Sequence, residues 1–241
     1  MIRSILLDIE GTTTPIAFVH DVLFPYARSH VRQYLETHLN SSEVLASLVR
    51  LKAEHTVDLE ENLDPPPLVS QPRVAAIDSM VAYVNWLIDR DRKSLGLKLL
   101  QGKIWEQGYL DGSLRAPVFE DVAPALKRWR HAGLSLNIFS SGSVLAQQLL
   151  FGHTEAGDLT QFIDNYFDTN TGPKGEMQSY QLIADALELP APEILFISDV
   201  VTELDPARKA GMQTRLCIRP GNHRQPESSH QRIESFEVIF G

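Results

Sequence analysis

Apolar positions along the chain follow two patterns. Ile-Arg-Ser-Ile-Leu-Leu at 2–7 is a short, mostly apolar run that stops at Asp8 and meets a turn-forming cluster, Gly11-Thr12-Thr13-Thr14-Pro15. A run of this length bounded by turn residues predicts a buried strand that delivers an acid into a loop. Ser135 to Phe139, Ile194 to Ile197 and Thr214 to Ile218 have the same character, and helix-like stretches separate them. Strands that alternate with helices predict an α/β fold built on a parallel sheet.

The interval 19–115 departs from this alternation. Its apolar spacing is helical almost throughout and predicts helices over Val19 to Leu39, Ser42 to His55, Arg73 to Asp91 and Ser94 to Gln107, with Pro65-Pro66-Pro67 breaking the set. An interval of this length is too long for a crossover. It predicts an inserted all-helical domain at 19–115, carried by a core made of 1–18 and 116–241. Beyond it, Pro117 to Ala132 reads as a helix closed by Gly133, followed by a strand, a Ser-Gly turn and a further helix. The tail from Pro220 to His230 is rich in Pro, Asn, Gln, Ser and His, has no periodicity, and reads as a surface segment.

Composition narrows the classes. With 43% hydrophobic and 22% charged residues in 241, the chain has the make-up of a soluble globular protein with a sizeable core. Its formal net charge is -9, and no dense cluster of Lys or Arg is present, so nucleic acid is not an expected partner. The single cysteine, Cys217, cannot form an intramolecular disulfide and sits in an apolar run, as a buried small hydrophobe would. The first residues lack the apolar region of a signal peptide, and no stretch approaches the ~18 apolar residues of a membrane span. The expected location is cytoplasmic, with no membrane partner.

Polar residues stand where the predicted strands end, which in an open parallel sheet is where ligands bind. Asp8 ends the first strand, Ser140 follows Leu-Asn-Ile-Phe, Asp199 follows Ile-Leu-Phe-Ile-Ser, and Lys174 lies in the loop Thr171-Gly172-Pro173-Lys174-Gly175. Cleavage of a phosphate monoester needs a nucleophile, an acid for the leaving oxygen, and positive charge around the transferring group. Asp8 can attack phosphorus. Glu10 can protonate the leaving group and then activate water. Mg²⁺ would be held by Asp8, Asp199 and the main-chain carbonyl of Glu10, keeping some waters. Ser140, with the amides of Ser141, Gly142 and Ser143 at the start of the next helix, would surround phosphate oxygens, and Lys174 would supply a further cation. A local Mg²⁺ and Lys⁺ also answer the long-range repulsion between an acidic protein and a phosphorylated small molecule.

The string Asp8-Ile9-Glu10-Gly11-Thr12, then Ser140, Lys174 and Asp199, resembles in order the motifs of the haloacid dehalogenase superfamily. The match spans nearly the whole chain. Within it, the strings at 8–16, 100–105, 140–144 (Ser-Ser-Gly-Ser-Val), 149–153 and 219–222 (Arg-Pro-Gly-Asn) are similar to the enolase-phosphatase, or acireductone synthase, family of methionine salvage. That resemblance implies a Rossmann-like core with a helical cap, a magnesium-dependent cytoplasmic monomer, and a two-step reaction. In it, 2,3-diketo-5-methylthiopentyl-1-phosphate is enolised and dephosphorylated to acireductone. An alternative reading is a magnesium-dependent phosphatase of the same superfamily acting on another small phosphate ester.

Two positions depart from the wider superfamily. Glu10 stands where most of its phosphatases carry Asp, and Ser198 precedes Asp199 where Gly is common. The longer Glu10 side chain is itself typical of enolase-phosphatases and suits a part in enolisation. Glu203, four residues after Asp199, fits both an acid that orients the metal site through a water and an acid at a helix N-terminus. Gln101, Trp105 and Tyr109 share a helical face and read first as packing residues. The eight histidines show no paired spacing of the kind a zinc site uses.

Overall fold

All the side chains of β1 (Ser4–Leu7) are buried, so this strand belongs inside a sheet covered on both faces. The computed structural model describes residues 1–90, 92 and 94–240 and puts β1 there. Among the described residues six strands run in the order β3-β2-β1-β4-β5-β6. The others are β2 (Ser135–Phe139), β3 (Asn165–Phe167), β4 (Ile194–Ser198), β5 (Gln213–Cys217) and β6 (Gln231–Ile233). Every pairing is parallel. Leu7 is in register with Ile138 of β2 on one side and Ile197 of β4 on the other. The chain builds outward from β1 to β2 and β3, then returns to β4 and builds the other way. Strand order therefore reverses at β1 and β4, and Asp8 and Asp199 follow the carboxyl ends of those two strands.

The chain forms two compact units, Met1–Val19 with Leu114–Gly241, and His20–Ser113. The second unit is helical, with α1 (Phe24–His38), α2 (Ser42–Glu60), α3 (Arg73–Asp89) and α4 (Leu95–Leu110). Ser41 and Ser94 fix two of the starts, since their hydroxyls accept from the amides of Val44 and Leu97 at 3.2 and 2.9 Å. Inside the unit the buried Asp58 is held by the Tyr83 hydroxyl at 2.7 Å and by Arg92. Trp105 donates from its indole nitrogen to the carbonyl of Leu23 at 2.8 Å, and Gln101 and Tyr109 are buried with it.

The stretch expected as one helix from Val19 opens instead as a π-helix, Phe18–Leu23, and becomes α-helical at Phe24. Pro25, in the first turn of α1, lacks an amide hydrogen and crowds the carbonyl one turn earlier, so the preceding turn widens. The expected end of α3 at Asp91 lies outside the described residues.

The sheet is covered by α5 (Val122–His131), α6 (Val144–Gly152), α7 (Met177–Ala186) and α8 (Val201–Lys209). Leu6, Phe139, Tyr180, Phe196, Leu204 and Leu216 belong to one buried cluster. Cys217 is buried and free of any disulfide. Helix α5 begins at Val122, not at the expected Pro117. Pro124 explains the shift, because a proline is tolerated in a first turn, whereas a start at Pro117 would place it in the helix interior. The tail also differs from expectation at its end, where His230 is buried against Thr214 at 2.7 Å and leads into β6. No helix among the described residues is long and apolar enough to cross a membrane.

Candidate active site

At the carboxyl end of β1 the Asp8 amide still donates to the Ile197 carbonyl of β4 at 3.0 Å, and then the chain turns sharply. The amides of Thr12, Thr13 and Thr14 converge on the Ile9 carbonyl at 3.2, 2.9 and 3.0 Å, and the Gly11 amide donates to Thr14 at 2.8 Å. Gly11 has φ +72°, and a Cβ built on it would lie 2.4 Å from Asp199 Oδ2. Only glycine meets both demands. The close approach brings the Asp199 carboxylate down on the loop that carries Asp8, and both acids are buried.

Lys174 enters from the loop before α7. Its Nζ lies 2.6 Å from Asp8 Oδ1 and 2.6 Å from Glu203 Oε2, with 8% of the side chain exposed. The loop is held by Tyr180, whose hydroxyl donates to the Lys174 carbonyl at 2.8 Å, and by Ser179, whose hydroxyl donates to the Pro173 carbonyl at 2.7 Å. Gly172, with φ +148°, makes room for Ser179, whose Oγ would be 2.3 Å from any Cβ there. Ser198 ties this corner together. Its hydroxyl donates to Glu203 at 3.1 Å and accepts from the Val200 amide at 3.1 Å, two bonds a glycine could not make.

Three buried or nearly buried acids therefore face one lysine. Burial, then the charges of Asp8 and Glu203, push the Asp199 carboxyl up to about 8. Burial and the charge of Asp8 push Glu203 up to about 7, against the opposing pull of Lys174. Burial works to lower the Lys174 ammonium, but Asp8 and Glu203 outweigh it and hold it above its ordinary value.

Ser140 stands at the end of β2, buried, with its amide bonded to the Phe167 carbonyl at 3.2 Å. Its hydroxyl oxygen accepts from the Gly142 amide at 3.3 Å, while Ser143 caps α6 through the Ala146 amide at 3.2 Å. Ser141 is exposed beside it. Glu10 is partly buried and bridged along the main chain to Thr14. The residues singled out by sequence, Asp8, Glu10, Ser140, Ser141, Lys174 and Asp199, thus all lie at the carboxyl end of one sheet, in the same compact unit.

The haloacid dehalogenase-like hydrolase family matches residues 2–211 of this chain. A Synechococcus elongatus protein named enolase-phosphatase E1 is 51% identical over 238 residues, which cover 99% of this chain and 98% of that protein. One of the same name from Sorangium cellulosum is 49% identical over 237 residues, 98% and 97% of the two chains. The chain belongs to the enolase-phosphatase E1 family of haloacid dehalogenase-like hydrolases. The crystal structure of the UTR4 protein from Saccharomyces cerevisiae is similar over 99% of this chain and 100% of that one, with a TM-score of 0.80 and 36% identity.

The end of the sheet around Asp8 and Asp199 has the donor chemistry a Mg²⁺ ion takes. Two buried carboxylates, Asp8 and Asp199, stand at a loop whose carbonyls are at hand, and burial, then the charges of Asp8 and Glu203, hold the Asp199 carboxyl above its ordinary value. Among the described residues no three His, Cys, Asp or Glu side chains converge as a metal-holding group. A hard cation that keeps several of its waters needs only one or two carboxylates, so the residues fit it.

The sequence alone leaves the role of Glu203 open and assigns none to Arg219. Glu203 is more than a helix-end acid, since it shares Lys174 with Asp8. Arg219, from the string Arg-Pro-Gly-Asn, is buried between the rings of Phe119 and Phe236, each 4.6 Å from its guanidinium carbon. From there its Nε donates to the Thr12 carbonyl at 3.2 Å and its Nη1 lies 3.0 Å from Asp121. The only signal for it was that family string, which carries no chemistry of its own.

Proposed function

We propose that this protein is a magnesium-dependent enolase-phosphatase that converts 2,3-diketo-5-methylthiopentyl-1-phosphate to acireductone and phosphate. The observation that carries the reading is the buried pair of Asp8 and Lys174 beneath the Asp199 carboxylate. The relatives' name, enolase-phosphatase E1, supports a reaction with both an enolisation and a dephosphorylation step. In the first step a base takes a proton from the carbon bearing the phosphate ester, and the neighbouring ketone becomes an enol. Glu10, whose side chain is longer than the Asp of most related phosphatases, acts in this step.

In the second step an Asp8 carboxylate oxygen attacks phosphorus and the ester P–O bond breaks. Glu10 gives its proton to the departing oxygen. Water then attacks the phosphorus of the aspartyl phosphate, Glu10 takes the water's proton, and phosphate leaves with Asp8 restored. Lys174 fixes the rotation of the Asp8 carboxylate, and its third N–H is directed to a phosphate oxygen. Ser140 and the amide of Ser141 take the other phosphate oxygens where α6 begins. A bound Mg²⁺, held by Asp8, Asp199 and the Glu10 carbonyl, supplies charge neutralisation between the carboxylate and the phosphate.

The protein is expected to act as a cytoplasmic monomer. The test is direct. With Mg²⁺ and the diketo phosphate, the enol absorbance should rise and phosphate should be released, faster than from other small phosphate esters. Release from such esters at equal or better efficiency, with no enol seen, would favour a phosphatase of different specificity.

A further inference from the structure

The last residue of the Arg-Pro-Gly-Asn string, Asn222, reaches the loop that carries Asp8. Its Nδ2 donates to the Gly11 carbonyl at 2.9 Å and faces the Cys217 carbonyl at 3.4 Å. Two carbonyls around one end of the amide settle which end is nitrogen. The other end, Oδ1, is buried and accepts a hydrogen bond from none of the described residues. It lies 3.0 Å from the point where a Gly11 Cβ would sit, the same point that Asp199 Oδ2 approaches to 2.4 Å.

A buried acceptor without a donor costs on the order of 1–3 kcal/mol, and a molecule that keeps one has usually reserved it for a water, an ion or a ligand. The space above Gly11 is closed to any side chain and is bordered by two oxygens from different parts of the chain. We propose that Asn222 is a positioning residue of the metal site, its Oδ1 accepting a hydrogen bond from a water in the hydration shell of the divalent ion bound at Asp8 and Asp199. The same amide holds the Gly11 carbonyl with its nitrogen, so one side chain sets the loop and receives the ion's water. This inference rests on the magnesium reading above and extends it to a residue outside the motifs.

Isothermal titration with Mg²⁺ tests it, because the readout is affinity and does not depend on turnover. Asn222→Ala and Asn222→Asp both lose the donor to the Gly11 carbonyl, but only the aspartate keeps an oxygen at the Oδ1 position. Loss of an outer-shell partner commonly weakens metal affinity about 10–100-fold. The expected result is Asn222→Ala at least ~10-fold weaker than wild type and Asn222→Asp within ~2-fold of it or tighter. Asn222→Asp is nearly isosteric, so its affinity alone decides the matter should the alanine variant not fold, which melting in EDTA will show. Equal weakening of both variants, or no change in either while wild type binds Mg²⁺, overturns this inference alone. Wild-type protein that binds no Mg²⁺ overturns it together with the magnesium reading.

Discussion

Lys174 Nζ lies 2.6 Å from Asp8 Oδ1, and the same ammonium is 2.6 Å from Glu203. One buried cation thus orients the carboxylate proposed to attack and keeps two acids from repelling each other. Breaking a buried pair by removing one partner typically costs about 3–5 kcal/mol, since a charge is left uncompensated. Lys174→Met should lose stability of that order in urea denaturation performed with EDTA. Adding Glu203→Gln should recover part of it, because one of the two stranded acids is then neutral. A Lys174→Met protein as stable as wild type would show that the pair contributes nothing.

The raised acids make the metal-free protein sensitive to alkali. Asp199 at about 8 and Glu203 at about 7 both sit above their ordinary values, so the folded chain binds protons that the unfolded chain has already released. Stability then falls as pH climbs from the usual carboxylate range through about 7 to 8, and is greatest on the acid side of that window. The melting temperature in EDTA should drop from about pH 6 to about pH 9. Mg²⁺, which competes with those protons, should raise it most at the alkaline end. A rise toward alkali without metal would reverse the sign of this account.

Gly11→Ala combines two penalties. The left-handed backbone costs a non-glycine residue roughly 1–2 kcal/mol, and the new methyl group would strike the Asp199 carboxylate. The variant should fold with reduced stability and lose measurable Mg²⁺ binding and phosphate release together. Full activity with ordinary Mg²⁺ affinity would mean that Asp199 can move aside at no cost.

Glu10→Gln separates the two chemical steps. Where Glu10 serves both as the base of enolisation and as the acid for the leaving oxygen, each rate should fall by roughly 10²–10⁴-fold, followed by enol absorbance and phosphate release. Intact enol formation with phosphate release lost would confine Glu10 to the second step.

The parts of the fold that the sequence announces are those buried on both faces. Strands β1, β2 and β4 read as apolar runs because neighbours and helices enclose them, and the acids at their ends stand out by contrast. Strands β3 and β6 are three residues each, lie at the two edges of the sheet, and, Ile233 apart, carry exposed or half-exposed side chains, so no run exists to detect. The π-helical turn at Phe18–Leu23 shares its apolar spacing with an α-helix, and only Pro25 hints at the change. In the site, Asp8 and Asp199 were legible from position. Glu203 was legible only as an acid with two open roles and Arg219 as part of a family string, because their significance lies in partners far away in sequence, Lys174 for one and the Thr12 carbonyl for the other. Ser198 in place of a common glycine was the nearest clue to Glu203, whose carboxylate it binds.

On the proposed mechanism Asp8 becomes covalently phosphorylated during turnover. Rapid quenching of the protein with Mg²⁺ and substrate, followed by borohydride reduction, converts an aspartyl phosphate to homoserine that peptide mass spectrometry can locate. Wild type should yield homoserine at position 8 and Asp8→Asn none. Phosphate release at full rate with Asp8 recovered unmodified, or with the reduced residue at another position, would contradict it.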